Sequence, residues 1–349
     1  MQNPFSYTFG IKPREYIANE QEDVILDDFM YEKPTERAYM ITGVRGSGKT
    51  VMLSDITESL EKTGDWYVID LNPARDLMHS LAAQLYDHQT IRNDLVRAKV
   101  DFSFFGIGVE IEGGEKITDI ETVIEKMLDK VSFHDKKILV TIDEATSSDN
   151  MQVFCLAFQK YIRKRLPIYI VMTGLYNKIH NIKNMKDCTF LQRAPYITLE
   201  PLDISAIALR YKKVFDIKKE TAEKLAKMTK GYAFAFQVLG KLYFDNRDKE
   251  SFEDIGMKYE SELIRYSYRK IWTELSKKDK EFVVAMVELN HDGEVAKSDL
   301  MVKTGEGSAM INRYQSRLKE QGIICSPQFG TYQLALPEFA DFVQDYYIG

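Results

Sequence analysis

Five short apolar runs, at 38–42, 66–71, 137–143, 168–173 and 195–200, punctuate the first part of the chain. Each has the length and residue types of a strand. Segments of helical spacing separate them; after the first run, Met52, Leu53, Ile56 and Leu60 recur along one helix face. Strand alternating with helix predicts a doubly wound α/β sheet, with any ligand at the carboxyl ends of its strands. Between the second and third runs, residues 100–114 alternate apolar and polar positions on both sides of Gly106 and Gly108. That pattern predicts a β-hairpin inserted in the core, carrying Phe102, Phe104 and Phe105. An exposed aromatic tip would mark a partner or DNA contact; a hairpin folded onto its own domain is the other reading.

The second half changes period. From Asp203 to Asn246 the apolar positions Ala206, Leu209 and Val214, then Leu225 and Met228, then Phe236, Leu239 and Leu242 are helical. A more polar helix is expected at about 251–270. From Asp279 onward the pattern is that of a winged helix. A helix from Phe282 to Leu289 precedes a short strand at Gly293–Val295. Helices over Lys297–Thr304 and Gly307–Gln321 follow. Strands over Ile323–Ser326 and Thr331–Leu336 then flank a wing at Pro327–Gly330. The third helix, with Asn312, Arg313, Gln315, Ser316, Arg317 and Lys319, is the element that reads DNA in such folds. The expected domains are a core over 1–202, a helical lid and connector over 203–270, and a winged-helix domain over 271–349.

Composition narrows the chemistry. The chain has 349 residues and a net charge of −6, so it does not coat nucleic acid over its whole surface. Its charge is uneven, however. Residues 160–193 carry a net +7, 203–241 a net +5, and the terminal region from Lys277 a net −3. A grip on phosphate backbones would therefore fall to the basic region 160–241 more than to the terminal module. The bland alternative is that these lysines are solvated helix faces or subunit contacts. Cys155, Cys188 and Cys325 form no disulfide framework and no CxxC knuckle, and the five histidines are scattered. A side-chain metal centre built on nitrogen and sulfur is excluded on that pattern. No apolar stretch is long enough to span a membrane, and a reducing cytoplasm is the simplest compartment.

One motif carries the chemistry. Gly43-Val-Arg-Gly-Ser-Gly-Lys-Thr50 fits G-x-x-x-x-G-K-[ST], between a strand and a helix. Gly46 and Gly48 allow the backbone to curl so that successive amides, from Gly46 and Ser47 through Val51, face phosphate oxygens. Lys49 would reach the β and γ phosphates, and the Thr50 hydroxyl would ligate Mg²⁺. A loop of this kind needs an acid at the end of a buried strand. Lys137-Ile-Leu-Val-Thr-Ile-Asp-Glu144 supplies two: Asp143 for the metal, and Glu144, facing the other way along the strand, as the base that polarises water.

With these two motifs the chain resembles the AAA+ and STAND group of P-loop ATPases, and more narrowly the archaeal-type ATPases related to origin-recognition initiators. Further segments fall in the family's order: Asn3-Pro4-Phe5, Phe9-Gly10 and Pro13 at the start, Ile168–Gly174, Leu199–Leu202, and Gly231–Phe236. The resemblance implies a five-stranded parallel sheet, ATP or ADP with Mg²⁺, and slow hydrolysis to ADP and phosphate. It places Thr173 at the polar sensor-1 position and Tyr16 and Ile17 against adenine. It places Arg193 where related ATPases often carry an arginine finger, offered by a neighbouring subunit of a homo-oligomer; a surface arginine is the other reading. Two departures stand out: Asn19 replaces the usual arginine of the adenine box, and Tyr232–Gln237 holds no sensor-2 arginine. The functional expectation is a nucleotide-dependent switch whose lid and winged helix report the nucleotide to a protein partner. The alternative is a DNA-binding initiator-like or mobile-element ATPase.

Overall fold

A computed structural model of the chain describes residues 2–8, 12–101, 103–107 and 115–348. Contacts within the chain group it into two compact units, one of residues 20–42 and 49–197, the other of residues up to 19, 43–48 and from 198 onward.

The first unit is built on a sheet whose strands are β1 (Ala38–Thr42), β2 (Trp66–Asp70), β3 (Lys137–Ile142), β4 (Ile168–Gly174) and β5 (Tyr196–Thr198). Their spatial order is β2-β3-β4-β1-β5, and the sheet is parallel, with helices flanking it. All five residues of β1 and all seven of β4 are buried, which is why these strands read as unbroken apolar runs rather than as alternating ones. The edge strands β2 and β5 are only partly buried. Helix starts follow local chemistry. Asp119 and Ser148 accept the backbone N–H groups of Thr122 and Met151 at the openings of the helices Ile120–Phe133 and Asp149–Arg163.

Residues 100–116 depart from the expected hairpin. Val100–Asp101 pairs in parallel with Glu115–Lys116, and Ser103–Phe105 is a turn of 3₁₀ helix. Two strands running the same way cannot be joined by a tight turn, so these residues are not a hairpin. Phe102, the Phe104 side chain and residues 108–114 lie outside the described residues, as do Phe9 and Gly10. Cys155 and Cys188, far apart in sequence, meet as buried free thiols; a hydrogen bond from Cys155 holds its own proton on and lowers the pKa of Cys188.

The second unit is largely helical. Asp203 caps Ile204–Phe215, and Ser251 with Asp254 forms a capping box at the start of Phe252–Leu263. Leu209 does not join the core as its spacing suggested; it is 68% exposed. Near the chain start, Phe5 is buried among Tyr211, Phe215 and Phe236, and its ring lies against Gly240 where a Cβ would stand. This explains a leading segment that sequence alone could only align. Beyond residue 275 come the helices Lys277–Asn290, Lys297–Thr304 and Ser308–Glu320, and an antiparallel sheet ordered Val295–Ala296, Thr331–Leu334, Ile324–Cys325.

Arg317 was expected to be free on the surface of its helix. It is instead spent inside the module: its Nε lies 2.9 and 3.1 Å from the two carboxylate oxygens of Asp279, which is 1% exposed, and its Nη2 also donates to Asp279. Ser276 completes the set by donating to the same carboxylate at 2.6 Å. Asp279→Asn retains the shape but removes the charge that Arg317 faces. It should destabilise the fold by ~2–3 kcal/mol in urea unfolding, the range for charge-assisted hydrogen bonds. A midpoint equal to wild type would show that the pair contributes nothing net.

Candidate nucleotide-binding site

β1 ends at Thr42 and the chain turns through Gly43 to Gly48 before the helix Lys49–Lys62 begins. Gly46 has φ +78° and Gly48 φ +98°, conformations costly to any residue with a Cβ. Gly46 is further constrained from outside. A Cβ there would stand 2.4 Å from the Tyr232 hydroxyl and 2.8 Å from Phe234 Cβ. Within the loop the Ser47 amide donates to the Val44 carbonyl at 3.1 Å, so that amide is engaged in the turn rather than free. Lys49, Thr50 and Val51 form the first turn of the helix, at the positive end of its dipole. This is the local arrangement that favours an anion. Lys49 is almost wholly buried, while Val51 is half-buried.

The acidic side of the site follows from strand register. Ile142 of β3 pairs with Met172 of β4. One residue further, Asp143 comes level with Thr173, which is fully buried at the end of β4. Thr173 donates its hydroxyl to Asp143 Oδ1, the Glu144 amide donates to the same oxygen at 2.9 Å, and Thr50 donates to Oδ2 at 2.7 Å. Thr50, Asp143 and Thr173, distant in sequence, thus form one cluster. Its free lone pairs belong to a carboxylate and a hydroxyl, the hard oxygen donors that suit a small divalent cation.

Glu144 differs from its expected placement. β3 stops at Ile142, and Glu144 lies in the turn beyond it with φ +53°, exposed rather than alternating along a strand. Its carboxylate is 3.6 Å from Lys178 Nζ, on the helix Tyr176–Lys183. Lys178 carried no signal in the sequence, since nothing in a helix lysine's spacing reveals an acid thirty-four positions earlier. Arg193 closes the 3₁₀ turn Thr189–Arg193 and is exposed.

Tyr16 and Ile17 belong to the second unit. The Tyr16 carbonyl accepts from Arg210 at 3.4 Å, its ring lies beneath Lys12 Nζ, and Ile17 packs on the apolar core of that unit. Arg210 also pairs with Glu15 at 2.9 Å, and Gln237 donates to the Glu15 carbonyl at 2.6 Å. Asn19 reaches the Glu200 carbonyl at 3.4 Å. Within the same unit a cleft of about 600 Å³ borders the loop, with Val44, Ser47, Leu199, Tyr232, Lys319 and Ile324 in its walls.

The family described as an ATPase domain predominantly from Archaea matches residues 28–237, a span that includes the phosphate loop, the acidic strand and Thr173. The chain belongs to this family. A second family, a domain of unknown function (DUF8462), matches residues 265–343. No curated protein matches by sequence. Among solved structures, a Walker-type ATPase of Pyrococcus abyssi is similar with a TM-score of 0.61 at 15% identity, over 96% of each chain. The ORC2 protein of Aeropyrum pernix, solved in ADPNP-ADP complexes, is similar with a TM-score of 0.59 at 13% identity, over 97% of this chain and 98% of the other. At such identities the likeness shows the fold alone, a P-loop ATPase core built on a parallel sheet. Among the described residues no helix is long and apolar enough to cross a membrane.

Proposed function

We propose that the protein binds ATP and hydrolyses it slowly, and that the bound nucleotide sets the state of the helical segment 203–270 and of the terminal module. The observation that carries this reading is the 2.7 Å hydrogen bond from Thr50, in the phosphate-loop helix, to Asp143 at the end of β3. It joins the two halves of a site that the sequence had placed 93 positions apart. Asp143 and Thr50 would hold Mg²⁺, which supplies positive charge against the β and γ phosphates when bound. The buried Thr173 hydroxyl keeps the Asp143 carboxylate in one orientation. Lys49 and the amides of the loop and first helical turn would hold the phosphates. Tyr16 and Ile17 are the residues proposed to face adenine. Glu144 would take the proton of the attacking water, for which its carboxylate must leave Lys178.

The stretch Tyr232–Gln237 offers no cation to the γ-phosphate, and Arg193 stands exposed at the end of its turn. An arginine donated by a second copy of the chain fits both facts, and so does slow turnover by an isolated chain. The terminal module, with its order of helix, strand, two helices and two strands, reads as a winged helix.

A second reading is favoured by one observation. Lys212, Lys213, Lys218, Lys219, Lys224 and Lys227 are all exposed on two consecutive helices of the second unit and the turn between them, whereas Arg317 is committed to Asp279. If duplex DNA is the partner, these lysines rather than the helix Ser308–Glu320 would supply most of the grip.

Calorimetric titration tests the nucleotide site. Lys49→Ala should abolish useful ATP affinity, while Glu144→Gln should still bind ATP and lose ~10²–10⁴ in steady-state hydrolysis. Unchanged affinity in the first variant would remove the phosphate-binding assignment, and unchanged turnover in the second would remove Glu144 as the base. If Arg193 acts across a subunit boundary, turnover per chain should rise with protein concentration. Arg193→Ala should flatten that rise without altering ATP binding; a specific activity constant over a wide concentration range would mean a monomeric enzyme. For the DNA reading, duplex affinity should fall steeply with salt and depend on ATP. Charge reversal at Lys212 and Lys213 should reduce the salt slope by about 2, and no measurable binding at low salt would leave the protein-partner switch.

A further inference from the structure

Contacts converge on the phosphate loop from residues with no role in the motif. Tyr232 is 4% exposed, and its hydroxyl oxygen lies 2.5 Å from the Arg45 carbonyl oxygen and 2.7 Å from Ser267 Oγ. A phenol has one proton to give and a carbonyl has none. The Tyr232 proton therefore points at Arg45, and Ser267 must donate its own proton to Tyr232. Directly beside this, the Phe234 amide donates to the Gly46 carbonyl at 3.0 Å. Two successive carbonyls of the loop are thus held from one side.

Ser267 is itself buried, at 2% exposure, within the π-helical turn Ile264–Tyr268 that separates the helices Phe252–Leu263 and Arg269–Glu274. Such turns interrupt a helix at an energetic cost and are frequently retained at functional sites. The last residue of the following helix, Glu274, lies 3.7 Å from the Arg45 guanidinium. Arg45 is therefore tied to the segment 252–274 twice, by its backbone through Tyr232 and Ser267, and by its side chain directly.

In a trans peptide the carbonyl and the next amide point in opposite directions. Fixing the Arg45 carbonyl from behind accordingly fixes the Gly46 amide on the opposite face of the loop. We infer that Tyr232 and Ser267 are positioning residues for the phosphate loop, a hydroxyl relay that couples the loop's shape to the π-helical turn. The inference rests on the reading of this loop as the nucleotide site. It gives the stretch 231–236 a neutral, backbone-directed link to the loop where no arginine is present to contact phosphate. Because coupling of binding equilibria is reciprocal, nucleotide in the loop stabilises the relay as much as the relay favours nucleotide.

The test is titration of the full chain with MgATP and MgADP in wild type, Tyr232→Phe, Ser267→Ala and the double variant, with thermal unfolding of each. Tyr232→Phe should weaken both nucleotides about five- to tenfold, as expected for the loss of one net hydrogen bond. Ser267→Ala, whose hydroxyl bonds Tyr232 rather than the loop, should weaken them about threefold. The double variant should be no weaker than Tyr232→Phe alone, since the relay is already cut. Nucleotide should also raise the melting midpoint less in both variants than in wild type. Wild-type affinity in either single variant, effects that multiply in the double, or an undiminished nucleotide-induced rise in midpoint would each overturn the relay. The last two are what independent structural roles would give. A wild type that bound neither nucleotide would overturn the nucleotide reading and the relay together, whereas wild-type binding with unaltered variants overturns the relay alone.

Discussion

A loop that turns its amides toward an anion must leave its carbonyls facing the other way, and those carbonyls need partners. In this protein the partners come from Tyr232 and Phe234, on Arg45 and Gly46. Their approach is so close that position 46 admits no Cβ, independently of its left-handed backbone. The glycine of the motif is thus required on two grounds. One is the left-handed backbone of the loop, the other the close approach of Tyr232 and Phe234. Tyr232 is buried, its phenol pushed to a raised pKa by that burial, and its remaining lone pair is met by a serine from a π-helical turn. A tyrosine with a raised pKa stays protonated, and so a donor to Arg45, throughout the neutral range.

The sheet works on the same principle in the other half of the site. Its central strands are buried along their length and paired in one register, Ala38 with Ile170 and Ile142 with Met172. A fixed register makes the strand ends reliable places to hold a carboxylate. Asp143 receives hydroxyls from two elements and an amide from its own turn. Three donors on one carboxylate leave it little rotational freedom, the preorganisation that a cation site needs.

What could be read in the sequence divides along physical lines. Strands β1, β3 and β4 were visible because strands buried on both faces are continuous apolar runs, and the phosphate loop because its glycines and lysine are fixed by local geometry. Asp143 followed from its position at a strand end. Glu144 was misplaced: period-two alternation applies only while the strand continues, and β3 ends two residues earlier. The parallel pairing of 100–101 with 115–116 was missed because alternation marks strands without revealing the direction in which they pair. Leu209 had helical spacing yet faces solvent, since spacing identifies a helix but not which neighbours cover it. Lys178, the Tyr232–Ser267 contact and the Arg317–Asp279 pair were illegible for a common reason. Each is a tertiary meeting of ordinary residues with no periodic relation to one another.

The stretch 231–236 shows how a departure from a family pattern becomes interpretable only with coordinates. By sequence, Tyr-Ala-Phe-Ala-Phe looks like a purely apolar packing helix, and part of it is: Ala235 and Phe236 are buried in the core with Phe5 and Tyr211. The two residues at the helix start behave differently, because the first turn of a helix has backbone donors to spare. The Phe234 amide is such a donor, and it is given to Gly46. An arginine at this place would act through its charge. A hydroxyl and an amide on the loop's carbonyls respond instead to backbone conformation. They would register any ligand that reshapes the loop, ATP and ADP alike. If the loop takes nucleotide as proposed, discrimination between ATP and ADP would fall to groups outside it, such as the acidic cluster around Asp143 and the exposed Arg193.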